Sequence, residues 1–243
     1  MRKINVIAMA GSGQRFLDQN YITPKPLIII KRKPMFYYAA KSLPLSKKII
    51  FICKKQLSFI HKLKFFIKKF FKNRKIVEIR KKTNGQATTC KLASKYLRND
   101  DIVTYGSCDY FYKFNRKQFN QLINSNDLIV FVHKPMKTNI INFKDYGWVK
   151  KGKKNAIQKI QCKNKVSKNP KNDLVITGTF TFKNKKIFHH SYKNMVKEID
   201  KINNEYYMDT VAKHAILLKY KVKYILVKNF KSYGTPSKLK KND

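Results

Sequence analysis

A seven-residue apolar run that breaks at once into glycines fixes how this chain begins to fold. Ile4-Asn5-Val6-Ile7-Ala8-Met9-Ala10 has the length and β-branched content of a buried strand, and Gly11-Ser12-Gly13 follows directly. Arg15 comes next, and ten residues later Lys25 stands between Pro24 and Pro26. Small residues let backbone N–H groups approach phosphate oxygens, and the two cations supply charge, so the stretch reads as a cradle for a polyphosphate. The prolines are expected to hold Lys25 in extended backbone on a stiff support. The glycines alone specify little. They match neither the dinucleotide fingerprint nor the ending of a P-loop, and they also fit a tight strand-to-helix turn.

Downstream, short apolar runs alternate with helical patterns, which predicts an α/β fold: a Rossmann-like, mostly parallel sheet flanked by helices. Leu27–Ile30 reads as an extended piece leading from Lys25. Pro34 takes the first turn of a helix whose stripe is Met35, Tyr38, Ala39 and Leu43, and Pro44 ends it. Ile49-Ile50-Phe51-Ile52-Cys53 is a second buried strand, followed by a Lys- and Phe-rich helix over Gln56 to Phe71 that packs its Phe face on the sheet. Further strands are expected at Ile76–Ile79, Ile102–Tyr105 and Leu128–Val132. After these the pattern turns to strands and loops at Gly147–Val149, Ala156–Cys162 and Leu174–Phe182, and a helical stretch from Asn204 places Glu205 and Asp209 on one face. The expected organisation is a single domain, with residues 1–133 as a nucleotide-binding half and 134–243 as an acceptor-binding lobe.

Composition excludes several classes. The formal charge of +42, from 55 Lys and Arg against 13 Asp and Glu, invites a nucleic-acid reading. Lysine dominates it, however, scattered through every segment among Asn, Ile, Phe and Tyr, as a compositional bias would leave it. No specific nucleic-acid partner is expected. Cys53, Cys90, Cys108 and Cys162 lack paired zinc spacing and read as reduced thiols of a cytoplasmic protein. No stretch is apolar enough to cross a bilayer, and the short amino-terminal run is read as a strand, not a cleaved signal.

Two further motifs carry chemistry. In Thr83-Asn84-Gly85-Gln86-Ala87-Thr88, a side-chain-free Gly85 and the donor and acceptor of the Gln86 amide suit a nucleobase edge, although helix capping by Asn84 also fits. Asp109 closes Ser107-Cys108-Asp109 at the carboxyl end of a strand, the edge where parallel sheets bind ligands; it can hold a divalent metal on phosphate oxygens or simply form a turn. Gly178 leaves room for a ligand or marks a strand bulge.

Taken together and in order, these motifs resemble the sugar nucleotidyltransferase family, the pyrophosphorylases that join a nucleoside triphosphate to a sugar 1-phosphate. Thr177-Gly178-Thr179-Phe180, Asn203-Asn204-Glu205-Tyr206-Tyr207 and Gly234-Thr235-Pro236 extend the likeness over almost the whole chain. The resemblance implies nucleotide binding by Ala10, Gly11, Ser12, Gly13, Gly85 and Gln86, and catalysis by Arg15 on the leaving phosphates and Lys25 on the α-phosphate. It further implies acceptor binding by Lys163, Gly178 and Glu205, and Mg2+ held by Asp109. Two positions depart from the pattern: Cys162 replaces a usual Glu, and Ser232 replaces a second metal-binding Asp, a part that Asp209 or another acid would then take. The reaction implied is in-line displacement at the α-phosphorus with pyrophosphate leaving, which calls for prepositioned cations more than for a covalent nucleophile. A cytidylyltransferase for a phosphocholine-like head group and a nucleic-acid-binding protein on a degenerate fold are the alternatives. Base, acceptor and oligomeric state are not specified by these motifs.

Overall fold

The computed structural model describes residues 1–55 and 57–242. The chain opens with β1 (Lys3–Met9), a single helical turn α1 (Gln14–Leu17), a 3₁₀ turn over Lys25–Leu27, and a two-residue hairpin, β2 (Ile29–Ile30) with β3 (Lys33–Pro34). Then follow α2 (Met35–Ser42), β4 (Lys48–Lys54), α3 (Leu57–Phe70), β5 (Arg74–Ile79), α4 (Gln86–Lys91) and β6 (Ile102–Ser107). The middle holds β7 (Tyr110–Lys113), α5 (Arg116–Ser125), β8 (Leu128–His133), α6 (Lys137–Ile141), β9 (Gly147–Lys151), β10 (Ile157–Cys162) and β11 (Leu174–Phe182). The chain closes with α7 (Lys185–Lys197), α8 (Met208–Leu217), β12 (Val222–Leu226), β13 (Lys228–Ser232) and α9 (Pro236–Asn242).

Nine of these strands form one mixed sheet. Its main path runs β5-β4-β1-β6-β11-β8-β12, and only β11 runs against the others. The strand order reverses between β1 and β6, so their carboxyl ends open a crevice of the kind that binds ligands in such sheets. β11 serves two neighbours on one edge: Leu174 and Val175 pair with β9, while Phe180 to Phe182 pair with β6. Its pairing with β8 shifts register between Ile176 and Phe180, and Gly178 sits in that gap. The strand bulge expected as one reading of Gly178 is observed, and at φ 85° a Cβ there would lie 3.2 Å from the Tyr110 ring.

Both faces of the central strands are buried, which is why they read as unbroken apolar runs. In β4, Ile50 and Ile52 join Val6, Val103, Ala87 and Val211 on one face, while Phe51 and Cys53 join Phe36, Leu43, Leu63 and Ile67 on the other. α3 packs as expected, although Ile60, Leu63 and Ile67 do most of the packing and Phe65 remains 59% exposed. Gln56, its expected first residue, lies outside the described residues. Among the described residues no helix is long and apolar enough to cross a membrane.

Three expectations need correction. Lys25 does not sit in extended backbone: Pro24 is extended, but Lys25 begins the 3₁₀ turn, with Pro26 inside it where its missing N–H costs nothing. Residues 185–197, to which no element was assigned in a region expected to hold fewer helical stretches, form a full helix capped by the Asn184 side chain on the Ile187 N–H. The helical stretch expected from Asn204 starts only at Met208. Asn203 and Asn204 take left-handed φ of 50° and 59° and close a tight turn in which Ile202 and Glu205 exchange both backbone hydrogen bonds. Asparagine tolerates that conformation, and the consecutive pair is a turn signal stronger than the helical one.

The amino ends of β1 and β6 are tied by Arg2, which donates two bonds of 2.7 Å to the fully buried Asp101 carboxylate, while the Arg98 N–H donates a third at 2.8 Å. Burial opposes the Asp101 charge, but these donors outweigh it and hold its pKa below the usual carboxylate range. A depressed pKa contributes stability that is present above the unfolded carboxylate's range and lost as pH falls through the folded value. We expect Asp101→Asn to lower unfolding free energy by about 1–3 kcal/mol at pH 7, with the gap to the parent closing below about pH 4 in urea titrations.

Candidate active site

The crevice between the ends of β1 and β6 is a cleft of about 350 Å³. From β1 and its loop come Ala8 to Gly11 and Gly13; Lys25 and Pro26 close that side. Ser107 to Tyr110 form the floor where β6 ends, Gly85 and Gln86 stand at the start of α4, and Asp145 to Gly147, Gly178, Glu205, Tyr207 and Asp209 complete the opposite wall. Residues from both halves of the sequence thus face each other across one space.

At its centre the Lys25 Nζ donates to Asp109 Oδ2 at 2.5 Å, and the Ser107 hydroxyl donates to Asp109 Oδ1 at 2.7 Å. Both charged side chains are largely withdrawn from water, 20% and 10% exposed. Burial works against each charge, and the pairing overcomes it: the Lys25 pKa is raised and that of Asp109 is lowered. The two therefore stand as ammonium and carboxylate. The Tyr233 N–H donates to the Asp109 carbonyl at 2.8 Å, which brings Ser232-Tyr233-Gly234 against the same residue. The Gly234 N–H donates to the Ser232 hydroxyl oxygen at 3.3 Å. Among the described residues no group of three or more His, Cys, Asp or Glu gathers as a metal cage.

Of the expected site residues, Ala10, Gly11, Gly13, Lys25, Gly85, Gln86, Asp109, Gly178 and Glu205 all line the cleft. Three sit elsewhere. Ser12 lines a smaller hollow behind the loop, against α3. Arg15 is at the mouth, 58% exposed, with its guanidinium 3.2 Å from Asp145 Oδ1. Lys163 is not among the residues lining the cleft; its Nζ lies 4.8 Å from the centre of the ring of Tyr207, which is. Glu205 and Asp209 both reach the cleft, but from a turn and from a helix, not from one helical face. Glu205 accepts from the Tyr207 hydroxyl at 2.9 Å, with Lys82 3.6 Å away.

Gly85 has a task the sequence did not reveal. It adopts φ 105°, and a Cβ there would lie 2.5 Å and 2.6 Å from the backbone O and N of Tyr206. The close approach lets the Ala87 N–H donate to the Tyr206 carbonyl and the Tyr206 N–H donate to the Asn84 carbonyl, at 3.0 and 2.8 Å. Asn84 makes no side-chain cap. The loop bearing Gln86 and the loop bearing Glu205 and Tyr207 are thus locked backbone to backbone. Asp145 and Tyr146 escaped sequence reasoning because no local motif marks them; only the path of the chain from α6 into β9 brings them to the cleft.

A cleft at the switch point of this sheet, holding a lysine, a glycine loop and a strand-end aspartate, defines an α/β enzyme that handles phosphates. The family profile described as nucleotidyl transferase matches residues 4–224, and the chain belongs to that family. It is a nucleotidyltransferase. Solved structures with the same fold include a nucleoside-diphosphate-sugar pyrophosphorylase from Vibrio cholerae RC9 (20% identity, TM-score 0.81, 98% of each chain covered). The inositol-1-phosphate CTP transferase from T. maritima is similar over 98% of this chain and 91% of its own (16%, 0.74), and a UTP-bound UGPase from Acinetobacter baumannii over 100% and 92% (16%, 0.73). Comparison with curated protein sequences gives no match.

The Gly85 contact makes a definite prediction. Gly85→Ala forces the two loops apart and should cost about 2–4 kcal/mol from strain and lost bonds. Hydrogen exchange should show the Ala87 amide losing protection while the amides of β1 and β4 keep theirs.

Proposed function

We propose that the enzyme transfers a nucleoside monophosphate from a nucleoside triphosphate to a phosphorylated acceptor, a sugar 1-phosphate, and releases pyrophosphate. The observation that carries this reading is the buried Lys25–Asp109 pair at the carboxyl edge of β6, facing the glycine loop across the cleft. Such a pair is costly to bury and gives little net stability, so its retention is best explained by a ligand that exchanges partners with it. An α-phosphate takes the Lys25 ammonium and leaves Asp109 free. The β- and γ-phosphates draw Arg15 from Asp145, and the backbone of Gly11 to Gly13 receives phosphate oxygens. Ala10 and Ser12 shape that loop, and Gln86 reads the base edge, supported on Gly85. Residues 1–133 hold the nucleotide in this reading, and 134–243 supply the acceptor side, with Glu205 and Gly178 in the wall and Lys163 directed at the acceptor phosphate.

Reaction in line at the α-phosphorus brings two anions together. Lys25, Arg15 and Lys163 offset their repulsion and the charge that builds on the transferred group. The residues at Asp109 fit Mg2+: an ionised carboxylate at the phosphate edge is a hard oxygen donor, and magnesium keeps most of its shell as water and substrate phosphate. Bound there it would supply Lewis-acid charge to phosphate oxygens. Four buried, unpaired cysteines support a reducing, cytoplasmic setting. No nucleic acid partner belongs to this reading.

A phosphocholine-like head group is the second acceptor class, because Tyr110, Tyr146 and Tyr207 offer ring faces to a quaternary ammonium. Lysines already occupy two of them: Lys163 lies 4.8 Å from the Tyr207 ring centre and Lys238 4.7 Å from that of Tyr146. This favours the sugar.

Pyrophosphate release across nucleoside triphosphates, sugar 1-phosphates and phosphorylated head groups tests the reading. One pair should turn over, chelation of divalent metal should stop it, and Lys25→Met or Asp109→Asn should each cut kcat/KM by about 10²–10³. Turnover that survives both substitutions, or failure to bind any nucleotide, would sink the assignment.

A further inference from the structure

Asp209 lies in the first turn of α8 and lines the cleft; apart from the second-carboxylate part that the sequence left open to it, none of the roles above uses it. Its carboxylate rests against Gly147, where even a Cβ would overlap it, so the wall is cut back to admit this side chain. Among the described residues no N–H or O–H group donates to it. Its neighbours are the Cys162 thiol, a weak donor, and the Lys163 charge. Asp109, by contrast, has a lysine and a serine. A carboxylate half-withdrawn from water and left short of donors is unfavourable as it stands, and burial raises its pKa to about 6. An acid kept at such a place, with open oxygens turned to a cleft, is suited to a ligand that brings the missing donors.

We infer that Asp209 is a specificity-determining residue of the acceptor subsite, accepting hydrogen bonds from hydroxyl groups of a polyhydroxylated acceptor phosphate. The inference rests on the nucleotidyl-transfer reading above and deepens it. The chemistry follows from the neighbours. Lys163, adjoining Asp209, supplies the cation for the acceptor's phosphate, and a carboxylate beside it can accept from hydroxyls on carbons close to that phosphate. Tyr207 stands between Asp209 and Glu205 in sequence and spends its hydroxyl on Glu205. Two acids are thus available to hydroxyl donors in one wall, Glu205 with its hydrogen-bond capacity partly used and Asp209 with almost all of it free. A substrate that presents hydroxyls satisfies Asp209; one that covers it without them leaves the acceptor desolvated and unpaired, which is the stronger form of discrimination.

The test is Asp209→Asn, isosteric and uncharged, assayed with the sugar 1-phosphate that the parent enzyme turns over and with its monodeoxy analogues. Nucleotide affinity, measured by calorimetry with the triphosphate alone, should change less than twofold. KM for the full acceptor should rise at least tenfold. For the analogue lacking the hydroxyl that Asp209 reads, parent and variant should have KM values within twofold of each other, a convergence that a merely structural role does not produce. An equal loss on every acceptor, deoxy analogues included, or a KM unchanged for all of them, would overturn the inference and leave nucleotidyl transfer standing. A parent enzyme that turns over only phosphocholine-like acceptors would overturn it too. Absence of turnover by the parent with every acceptor would instead remove the reading on which the inference depends, and the inference with it.

Discussion

Lys25 and Asp109 hold the molecule's working edge together. Lys25 belongs to the loop after β1 and Asp109 to the end of β6, so their contact closes the two strand ends over the crevice that the reversal of strand order creates. Leu27, two residues on, enters the core with Phe36 and Leu43, which ties the loop's position to packing as well as to charge. An aliphatic pair of the same size would anchor the loop about as well. What it lacks is the capacity to exchange partners. The ion pair stores a cation and a carboxylate at the same spot, each ionised because of the other, and an incoming phosphate can separate them without either charge being abandoned.

The two halves of the chain meet at more than one seam, and each seam joins parts of the cleft. β12 returns to pair with β8, and β13 pairs with β7, setting Tyr233 against Asp109. The Gly85–Tyr206 contact joins the loop of Gln86 to that of Glu205. Arg15 crosses to Asp145, and Lys238 approaches the same carboxylate at 3.9 Å. The Gly85 seam is rigid backbone and the Arg15 seam is a solvent-facing ion pair, worth about 1 kcal/mol at most. Only the second can open easily, so movement at the mouth does not have to disturb the wall.

How much of this was legible depends on how local the cause was. The central strands were legible because burial on both faces demands continuous β-branched runs, as in Ile49 to Cys53. The break after β1 was legible because two glycines end the apolar run, and Gly13 at φ 70° makes the tight turn into α1 beside the cleft. Helix α7 was not: its buried positions, Ile187, Phe188, Ser191 and Met195, keep helical spacing, but Ser191 and the His189-His190 pair dilute the apolar stripe. The turn at Asn203-Asn204 was misread because two acids at helical spacing outweighed a turn signal that deserved precedence. Asp145 could not have been found at all. Its proximity to Arg15 is made by 130 residues of intervening topology, and no short pattern encodes that.

The net charge looks different once the acids are located. A chain with only 13 Asp and Glu could scatter them as thinly as its lysines, but four of them, Asp109, Asp145, Glu205 and Asp209, line one cleft. Others sit where the fold has donors for them: Asp101 on Arg2, Asp200 on the buried His214, Asp173 on Ser167 and Asp127 on the Lys221 N–H. Lysine, in contrast, spreads over helix faces such as α3, where Lys62, Lys68 and Lys69 are exposed to solvent. A lysine on such a face costs almost nothing, because its charge stays hydrated and its stem covers apolar surface. Replacing an acid in the cleft or at a buried donor leaves unpaired groups instead. The excess of positive charge therefore marks places where substitution is cheap, and although Asp18, Asp100 and Glu198 are exposed in the same way, the eight carboxylates named above stand where the fold or the cleft gives them a partner or a face.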